Sequence, residues 1–257
     1  MAANPVVFLL STVEDRIGLA ETFMQSVQRY RPDWPVYVVA QSYSEASVRV
    51  MRRYGPQMRQ LPHRLGPHVS KMIGLTWIRS GYTNVTICSV DDDMELTDRT
   101  NYDPILEFVR RPHVGLVSAG WAPHETRAAT WPLVNAFVPQ PIVYTGGGLF
   151  LTERIAGVLA STVPATTDYW SDNCQWSLAT YLAGYENYRY RGSVTIHRVC
   201  RNGGRKAWIS ERPRTMPDPA YLTMQPGVKP GEWHIGDSSG LTALAKETHR
   251  AARERLG

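Results

Sequence analysis

In the first half of the chain, short runs of apolar residues alternate with segments in which apolar residues recur at helical spacing. Short apolar runs at residues 6–11, 36–40 and 85–90 have the composition of buried strands. Between them, apolar residues recur at helical spacing over residues 16–30, 44–54 and 69–79. This alternation predicts an α/β fold with a mostly parallel, doubly wound, Rossmann-like sheet. In such sheets, ligands bind at the carboxyl ends of the strands.

The second half of the chain has the same two patterns, separated by longer irregular stretches. The elements predicted there are helices at 101–111, 171–184 and 241–256, strands at 114–119, 142–151 and 188–196, and loops at 121–141 and 213–230. Three glycines at 146–148 interrupt one of these strands; a close ligand approach and a structural bulge explain them equally well. His249 on the last helix is expected to face solvent.

Three consecutive carboxylates, Asp91, Asp92 and Asp93, directly follow the strand at residues 85–90. Adjacent negative charges at a strand end repel one another unless a positive group lies beside them. Mg²⁺ and Mn²⁺ prefer oxygen ligands and need few protein carboxylates, so the triplet predicts a divalent metal site. The alternative is an acidic turn before a helix that Asp98 or Asn101 caps.

The composition is that of an ordinary globular protein, with 43% hydrophobic and 20% charged residues among 257. Three cysteines lack the pair spacing of a zinc site, which favours a reducing compartment without disulfides. The apolar run at residues 6–10 is too short for a secretory signal, and no run is long enough to span a bilayer. We therefore expect a cytoplasmic protein with no membrane partner.

The net charge of +5 arises in the second half, because residues 1–125 carry 13 Lys/Arg and 13 Asp/Glu. Between Arg189 and Arg214, eight basic residues stand against one acid, Glu211. Such a segment predicts a polyanionic ligand, either a substrate diphosphate or a nucleic-acid backbone.

Several motifs, taken in order, resemble the inverting, family-2-like group of the GT-A nucleotide-sugar glycosyltransferases. Residues 70–75, Ser-Lys-Met-Ile-Gly-Leu, resemble the family's Ala-Arg-Asn-x-Gly-Leu helix, with Lys71 in place of the usual arginine. The aspartate triplet resembles the Asp-x-Asp metal signature. Residues 172–185 resemble the helix that carries the catalytic base, and residues 194–197 resemble the strand and histidine that follow it. The resemblance covers about residues 5 to 200.

The resemblance implies a GT-A fold with a C-terminal acceptor-side extension, in a single domain over residues 1–257. Its parts would be a nucleotide-sugar-binding half at 1–100, an acceptor and catalytic half at 101–210, and a loop and C-terminal helix at 211–257. It also implies Mn²⁺ or Mg²⁺ and a nucleotide-diphosphate sugar, with a UDP-sugar as first choice. The implied donor-binding residues are Ser11, Thr12, Asp15, Gln41, Lys71, Asp91, Asp92, Gly147 and Gly148. Residues 11–14 equally suit a helix cap.

Glycosyl transfer needs a stabilised leaving diphosphate and a base for the acceptor hydroxyl. A metal held by Asp91 and Asp93 can bridge the two phosphates as a Lewis acid. Asp172 is the candidate base, although the family motif usually begins with paired acids and Asp172 stands alone. His197 is a candidate third metal ligand, and a structural hydrogen-bonding role suits it equally. One base and one metal site predict direct displacement with inversion.

Basic and aromatic residues interleave in the basic segment, as suits a nucleic-acid backbone with an exposed base. The acceptor-binding residues predicted there are Arg189, Arg191, Arg201, Arg205, Lys206 and Trp208. We therefore expect the acceptor to be a 5-hydroxymethylated pyrimidine, flipped out of double-stranded phage DNA, which would place the enzyme in the host cytoplasm. A glycan or small-molecule acceptor is the first alternative. The second is a non-catalytic nucleotide-sugar- or DNA-binding module.

Overall fold

The computed structural model describes residues 4–141, 143, 147–162, 172–198 and 243–256, with the backbone alone at 172–174 and 243–244. The strands are β1 (Val6–Val13), β2 (Val36–Gln41), β3 (Gln57–Leu61), β4 (Thr86–Asp91), β5 (Met94–Glu95), β6 (Val114–Ala122), β7 (Phe137–Pro139), β8 (Leu149–Thr152) and β9 (Glu186–His197). The helices are α1 (Ile17–Tyr30), α2 (Glu45–Arg52), α3 (Pro67–Gly81), α4 (Asp103–Phe108), α5 (Glu125–Ala129), α6 (Glu153–Thr162), α7 (Asp172–Leu182) and α8 (Ala243–Leu256). A 3₁₀ turn, Glu14–Arg16, joins β1 to α1.

The described strands form one mixed sheet in the order β3-β2-β1-β4-β8-β6-β9-β5, and β7 pairs with β9 outside this path. The pairs β3–β2, β2–β1, β1–β4 and β6–β9 are parallel. Strand β8 lies between β4 and β6 and is antiparallel to both. The prediction of an α/β fold with a mostly parallel sheet is confirmed.

Helices cover both faces of the sheet because apolar side chains alternate along the buried strands. Phe8 and Leu10 of β1 face the core that contains Phe23 of α1. Leu9 faces the opposite core, which contains Leu75 of α3. The sheet is therefore buried on both sides, and polar side chains cluster where the strands end.

Local capping explains where α2 begins. The Ser44 hydroxyl accepts a hydrogen bond from the backbone N–H of Ser47 at 3.2 Å, as an N-cap serine does. Glu14, at the end of β1, accepts hydrogen bonds from the backbone and hydroxyl of Ser44 and from the hydroxyl of Ser47. Burial acts to raise the pKa of Glu14, but these hydrogen bonds outweigh it and lower that pKa.

Strands β3, β5 and β7 and helices α5 and α6 are absent from the sequence-based prediction. Strand β3 lies at the sheet edge, and its largely polar sequence lacks the apolar run of a buried strand. The strand predicted at 142–151 was partly wrong, because described strand structure begins only at Leu149. Gly148 has a φ of +93°, a conformation that favours glycine and interrupts the strand there.

Helix α8 packs against α7 and the beginning of β9 through His249, so the prediction that His249 faces solvent was wrong. The ring is 9% exposed and stacks on Tyr181 with a centroid distance of 4.0 Å. Its Nδ1 lies 2.7 Å from the Tyr181 carbonyl oxygen, and its Nε2 lies 3.1 Å from Glu186 Oε1. Gly184 allows the close approach, since a Cβ there would come within 2.7 Å of the Ala252 backbone.

Among the helices in the described part of the chain, none has the length and apolar character needed to cross a membrane.

Candidate active site

Polar side chains from four strands meet at the carboxyl edge of the sheet. In the register, Ser11 at the end of β1 lies opposite Asp91 at the end of β4. Gln41 ends the neighbouring β2. His197 ends β9 and pairs with Met94 of β5, directly after the aspartate triplet. Parallel strands therefore bring residues that are far apart in sequence to one edge, as the sequence predicted.

Asp91 forms an ion pair with Lys71 of α3. The Nζ of Lys71 lies 2.8 Å from Asp91 Oδ1. The Lys71 side chain is 2% exposed and that of Asp91 is 27% exposed. Lys71 therefore provides a buried countercharge at the first position of the triplet.

Asp92 is held in the protein interior by Arg16 and Thr12. Its Oδ1 lies 2.6 Å from Arg16 Nη2, and the Thr12 hydroxyl hydrogen-bonds to its carboxylate. Burial raises the pKa of Asp92 to about 7; the Arg16 guanidinium opposes this shift, and the neighbouring Asp93 carboxylate adds to it. Asp92 is thus the least solvated carboxylate of the three.

Asp93 presents one oxygen to Arg16 and the other to His197. Arg16 Nη2 lies 2.7 Å from Asp93 Oδ2. Asp93 Oδ1 is buried and lies 3.2 Å from His197 Nε2, yet these two atoms do not form a hydrogen bond. Ligand atoms from Asp91, Asp93 and His197 all lie within 4.8 Å of one another.

These three residues fit a divalent metal. Adjacent ligands of an octahedral ion with bonds of about 2.1 Å are separated by about 3 Å, which matches the Asp93 Oδ1 to His197 Nε2 separation. Two carboxylates and an imidazole are a donor set that suits Mn²⁺. The buried Asp93 Oδ1, which has no hydrogen-bond partner, is also the kind of atom that a cation would satisfy.

The protein itself supplies positive groups beside the triplet, in addition to the metal that the sequence predicts. Arg16 and Lys71 place two positive charges against the three carboxylates. The cluster is therefore largely neutralised by the protein itself, because the sheet register and the 3₁₀ turn bring these cations to the strand end. Carboxylate-to-amide substitutions here should disrupt ion pairs as well as a metal site.

The predicted donor-binding residues Ser11 and Gln41 belong to a buried hydrogen-bond network with Ser70 of α3. The Ser11 and Ser70 hydroxyl oxygens are 2.5 Å apart. Gln41 Nε2 donates to both hydroxyls, at 3.3 and 3.2 Å, and Gln41 Oε1 accepts from the backbone N–H of Leu65. This network joins the ends of β1 and β2 to the beginning of α3.

Two other predicted donor-binding residues on the β1 side differ in exposure. Thr12 is 2% exposed and its hydroxyl accepts a hydrogen bond from the Tyr43 hydroxyl at 3.2 Å. The Asp15 side chain is 67% exposed and lies 3.6 Å from Arg64. Asp15 is thus open to a ligand, whereas Thr12 is buried.

Gly147 and Gly148 lie where β8 begins, and their packing against β6 explains the lack of side chains. A Cβ on Gly147 would come within 2.3 Å of the Ala119 carbonyl oxygen. The Tyr102 hydroxyl donates to the Gly147 carbonyl at 2.9 Å, and the Gly148 carbonyl accepts from the backbone N–H of Ala119 at 3.0 Å. The structural explanation proposed for these glycines therefore has direct support.

Asp172 is the first described residue of α7, and its side chain lies outside the described part of the chain. A connection of only three residues reverses the chain from α7 into β9. The two elements pack together through Asn187 of β9, whose side chain accepts a hydrogen bond from the Thr180 hydroxyl and donates one to the Ser177 carbonyl oxygen of α7.

Of the predicted acceptor-binding residues, the structure describes Arg189 and Arg191; the remaining four, Arg201, Arg205, Lys206 and Trp208, lie outside the described residues. Arg189 is opposite Ser118 of β6 and belongs to the row of the sheet that contains Ser89 of β4, two residues before Asp91. Burial and the charge of Arg191 lower the pKa of Arg189. No ion pair to a carboxylate is found for either arginine within the described ranges.

Arg198 belongs to the same basic segment but already has acidic partners. Its guanidinium contacts Glu95 and lies 2.6 Å from Glu125 Oε1. These two carboxylates raise the pKa of Arg198. Its charge is therefore already paired with two carboxylates, which a simple charge count along the sequence does not show.

Sequence reasoning missed two residues at this edge, Arg16 and Trp121. Arg16 was assigned only to the start of a helix, although it is the first cation after β1, the strand next to the triplet. The Trp121 ring lies 5.2 Å from that of His197. The position of Trp121 near the end of β6, another parallel strand, is the sequence signal that could have identified it.

The fold is shared with solved glycosyltransferase structures. The mannosyltransferase PcManGT from Pyrobaculum calidifontis, in complex with GDP-Man and Mn²⁺, aligns with a TM-score of 0.58 and 17% identity, over 80% of this chain and 60% of that one. GalNAc-T7 with UDP, GalNAc and Mn²⁺ aligns with a TM-score of 0.57 and 9% identity, over 77% and 44% of the two chains. TarS from S. aureus aligns with a TM-score of 0.56 and 12% identity, over 76% and 37%.

The chain thus has a GT-A glycosyltransferase fold. It spans 60% or less of the length of each of these proteins. No protein-family model and no curated protein matches the sequence. At these identities, the likeness establishes the fold, and the chemistry must be inferred from the residues at the site.

Proposed function

We propose that this protein is a metal-dependent glycosyltransferase that moves a sugar from a nucleotide-diphosphate sugar to an acceptor hydroxyl with inversion. The observation that carries the proposal is the convergence of Asp91, Asp93 and His197 at the carboxyl edge of the sheet. Structures with this fold that contain Mn²⁺ with a nucleotide or nucleotide sugar support it.

In this proposal, Asp91, Asp93 and His197 hold the metal, which when bound supplies Lewis-acid stabilisation of the leaving diphosphate. Lys71 and Arg16 are the protein's own cations at the site, and the pairing of Lys71 with Asp91 orients that carboxylate. Asp15 is exposed at the end of β1, where it can contact the nucleoside. Ser11, Gln41 and Ser70 form a buried hydrogen-bond network at the same edge of the sheet.

Asp172 is proposed as the base that accepts the proton of the acceptor hydroxyl. Its place at the start of α7, the helix that resembles the family's base-bearing helix, supports this role. Asp172→Asn removes proton acceptance at nearly constant volume, so turnover should fall by about 10²-fold or more with donor affinity nearly unchanged. NMR of the product tests the stereochemistry: retention of the anomeric configuration would exclude the single-base mechanism.

A test of metal dependence distinguishes an enzyme from a non-catalytic binding module. The protein is incubated with a panel of nucleotide sugars, and released nucleoside diphosphate is measured after chelation and after Mn²⁺ is added back. We expect release only with Mn²⁺ and with the preferred donor. Donor binding without release under any condition would favour the non-catalytic module, and full release in excess chelator would refute the metal site.

For the acceptor, our proposal is a hydroxymethylated pyrimidine in DNA, with a glycan or small-molecule hydroxyl as the alternative. Arg189 and Arg191 support a polyanionic acceptor, since they lie on β9, the strand that follows α7, and carry charge that no described carboxylate neutralises. Changing both to Gln should reduce the log–log salt slope of duplex binding by about 2, because each lost phosphate contact contributes about 0.9. Arg49→Gln/Arg52→Gln on the exposed face of α2 is the control for equal charge loss. Equal slopes in the two double variants would remove the support for DNA.

A further inference from the structure

Arg16 contacts two of the three aspartates through a single guanidinium nitrogen. Its Nη2 lies 2.6 Å from Asp92 Oδ1 and 2.7 Å from Asp93 Oδ2. The side chains of Asp92 and Asp93 are 7% and 12% exposed, so water is largely excluded from both contacts. Charge-assisted hydrogen bonds of this length are among the strongest in proteins.

These contacts fix the direction of the remaining oxygen of Asp93. The two oxygens of a carboxylate have a fixed separation, so a contact from Arg16 to Oδ2, together with a fixed Asp93 backbone, restricts Oδ1 to few positions. That Oδ1 is buried, has no hydrogen bond, and lies 3.2 Å from His197 Nε2. The Asp93 backbone is held as well, because its carbonyl accepts from the Arg198 N–H at 2.6 Å.

We propose, on the basis of the metal-dependent function above, that Arg16 is a positioning residue for the metal site. By holding Asp92 and Asp93 together, it keeps Asp93 Oδ1 turned toward His197. Asp92 is the anchor of this clamp: it is buried and hydrogen-bonded to Thr12, and it lies outside the group of potential ligands.

Positioning and charge predict opposite effects on metal affinity when Arg16 is replaced. Arg16 places a positive charge beside the site, so loss of that charge alone would tighten Mn²⁺ binding. Loss of positioning would weaken Mn²⁺ binding, because an Asp93 side chain that Arg16 no longer holds would have to become ordered when the metal binds. Partners that orient metal ligands typically contribute about 10- to 100-fold to affinity. The sign of the change therefore distinguishes the two roles.

The experiment measures Mn²⁺ binding without donor, from the electron paramagnetic resonance signal of free Mn²⁺. Arg16→Gln should raise the Kd by about 10-fold or more. Arg16→Lys keeps the charge but has a shorter side chain that does not reach both carboxylates in the same geometry, so its Kd should fall between that of Arg16→Gln and that of the parent. Asp92→Asn should also weaken binding, and the double variant should lose less than the sum of the single losses, because both act through one contact. Arg49→Gln removes an exposed arginine on α2 and should leave the Kd unchanged.

An Arg16→Gln protein that binds Mn²⁺ as tightly as the parent, or more tightly, would overturn this proposal and leave the metal site intact. A parent protein that binds no Mn²⁺ would overturn the metal site together with this proposal. Circular dichroism melts accompany each variant; if Arg16→Gln does not fold, parental affinity in a folded Arg16→Lys protein would overturn the proposal. Saturating Mn²⁺ should restore much of kcat in the variants, whereas a merely structural role would lower Tm without changing the Kd.

Discussion

The Lys71–Asp91 ion pair is expected to stabilise the folded protein, and this effect can be measured separately from catalysis. Asp91→Asn keeps the shape of the side chain and removes its negative charge, so the buried Lys71 ammonium faces a neutral amide at the same position. Breaking a fully buried ion pair from one side costs about 3–5 kcal/mol. Since the Asp91 side chain is 27% exposed, solvent compensates part of this loss, and we expect about 2–3 kcal/mol.

For a chain of this length, that destabilisation corresponds to a fall in Tm of about 5–10 °C. The assay is thermal unfolding by circular dichroism in excess chelator, so that any metal contribution is absent from both proteins. Asp103→Asn is the matched control, because Asp103 pairs with Arg31 at 3.3 Å but its side chain is 71% exposed. Loss of this exposed ion pair should lower the free energy of unfolding by about 0–1 kcal/mol.

A second variant identifies the cause. Lys71→Met in the Asp91→Asn background removes the ammonium and keeps an unbranched chain of similar length, so part of the lost stability should return. A Tm of Asp91→Asn equal to or above that of the parent in chelator would refute the reasoning. It would mean that removing one charge from the triplet lowers the repulsion among its carboxylates by at least as much as the lost ion pair costs.

Three further predictions follow from single contacts. Gly147→Ala should lower stability by several kcal/mol in chemical denaturation, since the new methyl group would meet the Ala119 carbonyl oxygen at 2.3 Å; parental stability would contradict the described packing. Glu14→Gln should lower Tm at neutral pH. Because the folded pKa of Glu14 is lowered, the difference from the parent should shrink as the pH falls below the ordinary pKa of glutamate and vanish once Glu14 is protonated in the folded protein. A pH-independent difference would contradict that origin. Gly184→Ala should detach α8, because the residue has a φ of +92° and lies against the Ala252 backbone; amide exchange within α8 should rise, and unchanged protection would argue against the contact.

The amino-acid sequence determined the class of fold and the position of the candidate site. The apolar patterns of strands and helices are local properties of the chain. Buried strands and amphipathic helices could therefore be predicted in the order in which they occur. The carboxylates after β4 could be placed at the carboxyl edge for the same reason, since a strand end is a local feature and parallel strands end together. His197 was proposed because residues 194–197 resemble the strand and histidine of the glycosyltransferase family.

Tertiary structure alone decided what surrounds these carboxylates. Arg16 is 77 residues from Asp93 in sequence, and only the register of β1 beside β4 brings the two together. The same holds for Lys71, which approaches Asp91 because α3 packs across β1. The burial of His249 depends on the packing of α8 against α7, which a polar helical sequence does not reveal. Periodicity specifies which face of an element is buried, whereas countercharges and the order of strands depend on contacts between distant segments, and those form only when the whole sheet is assembled.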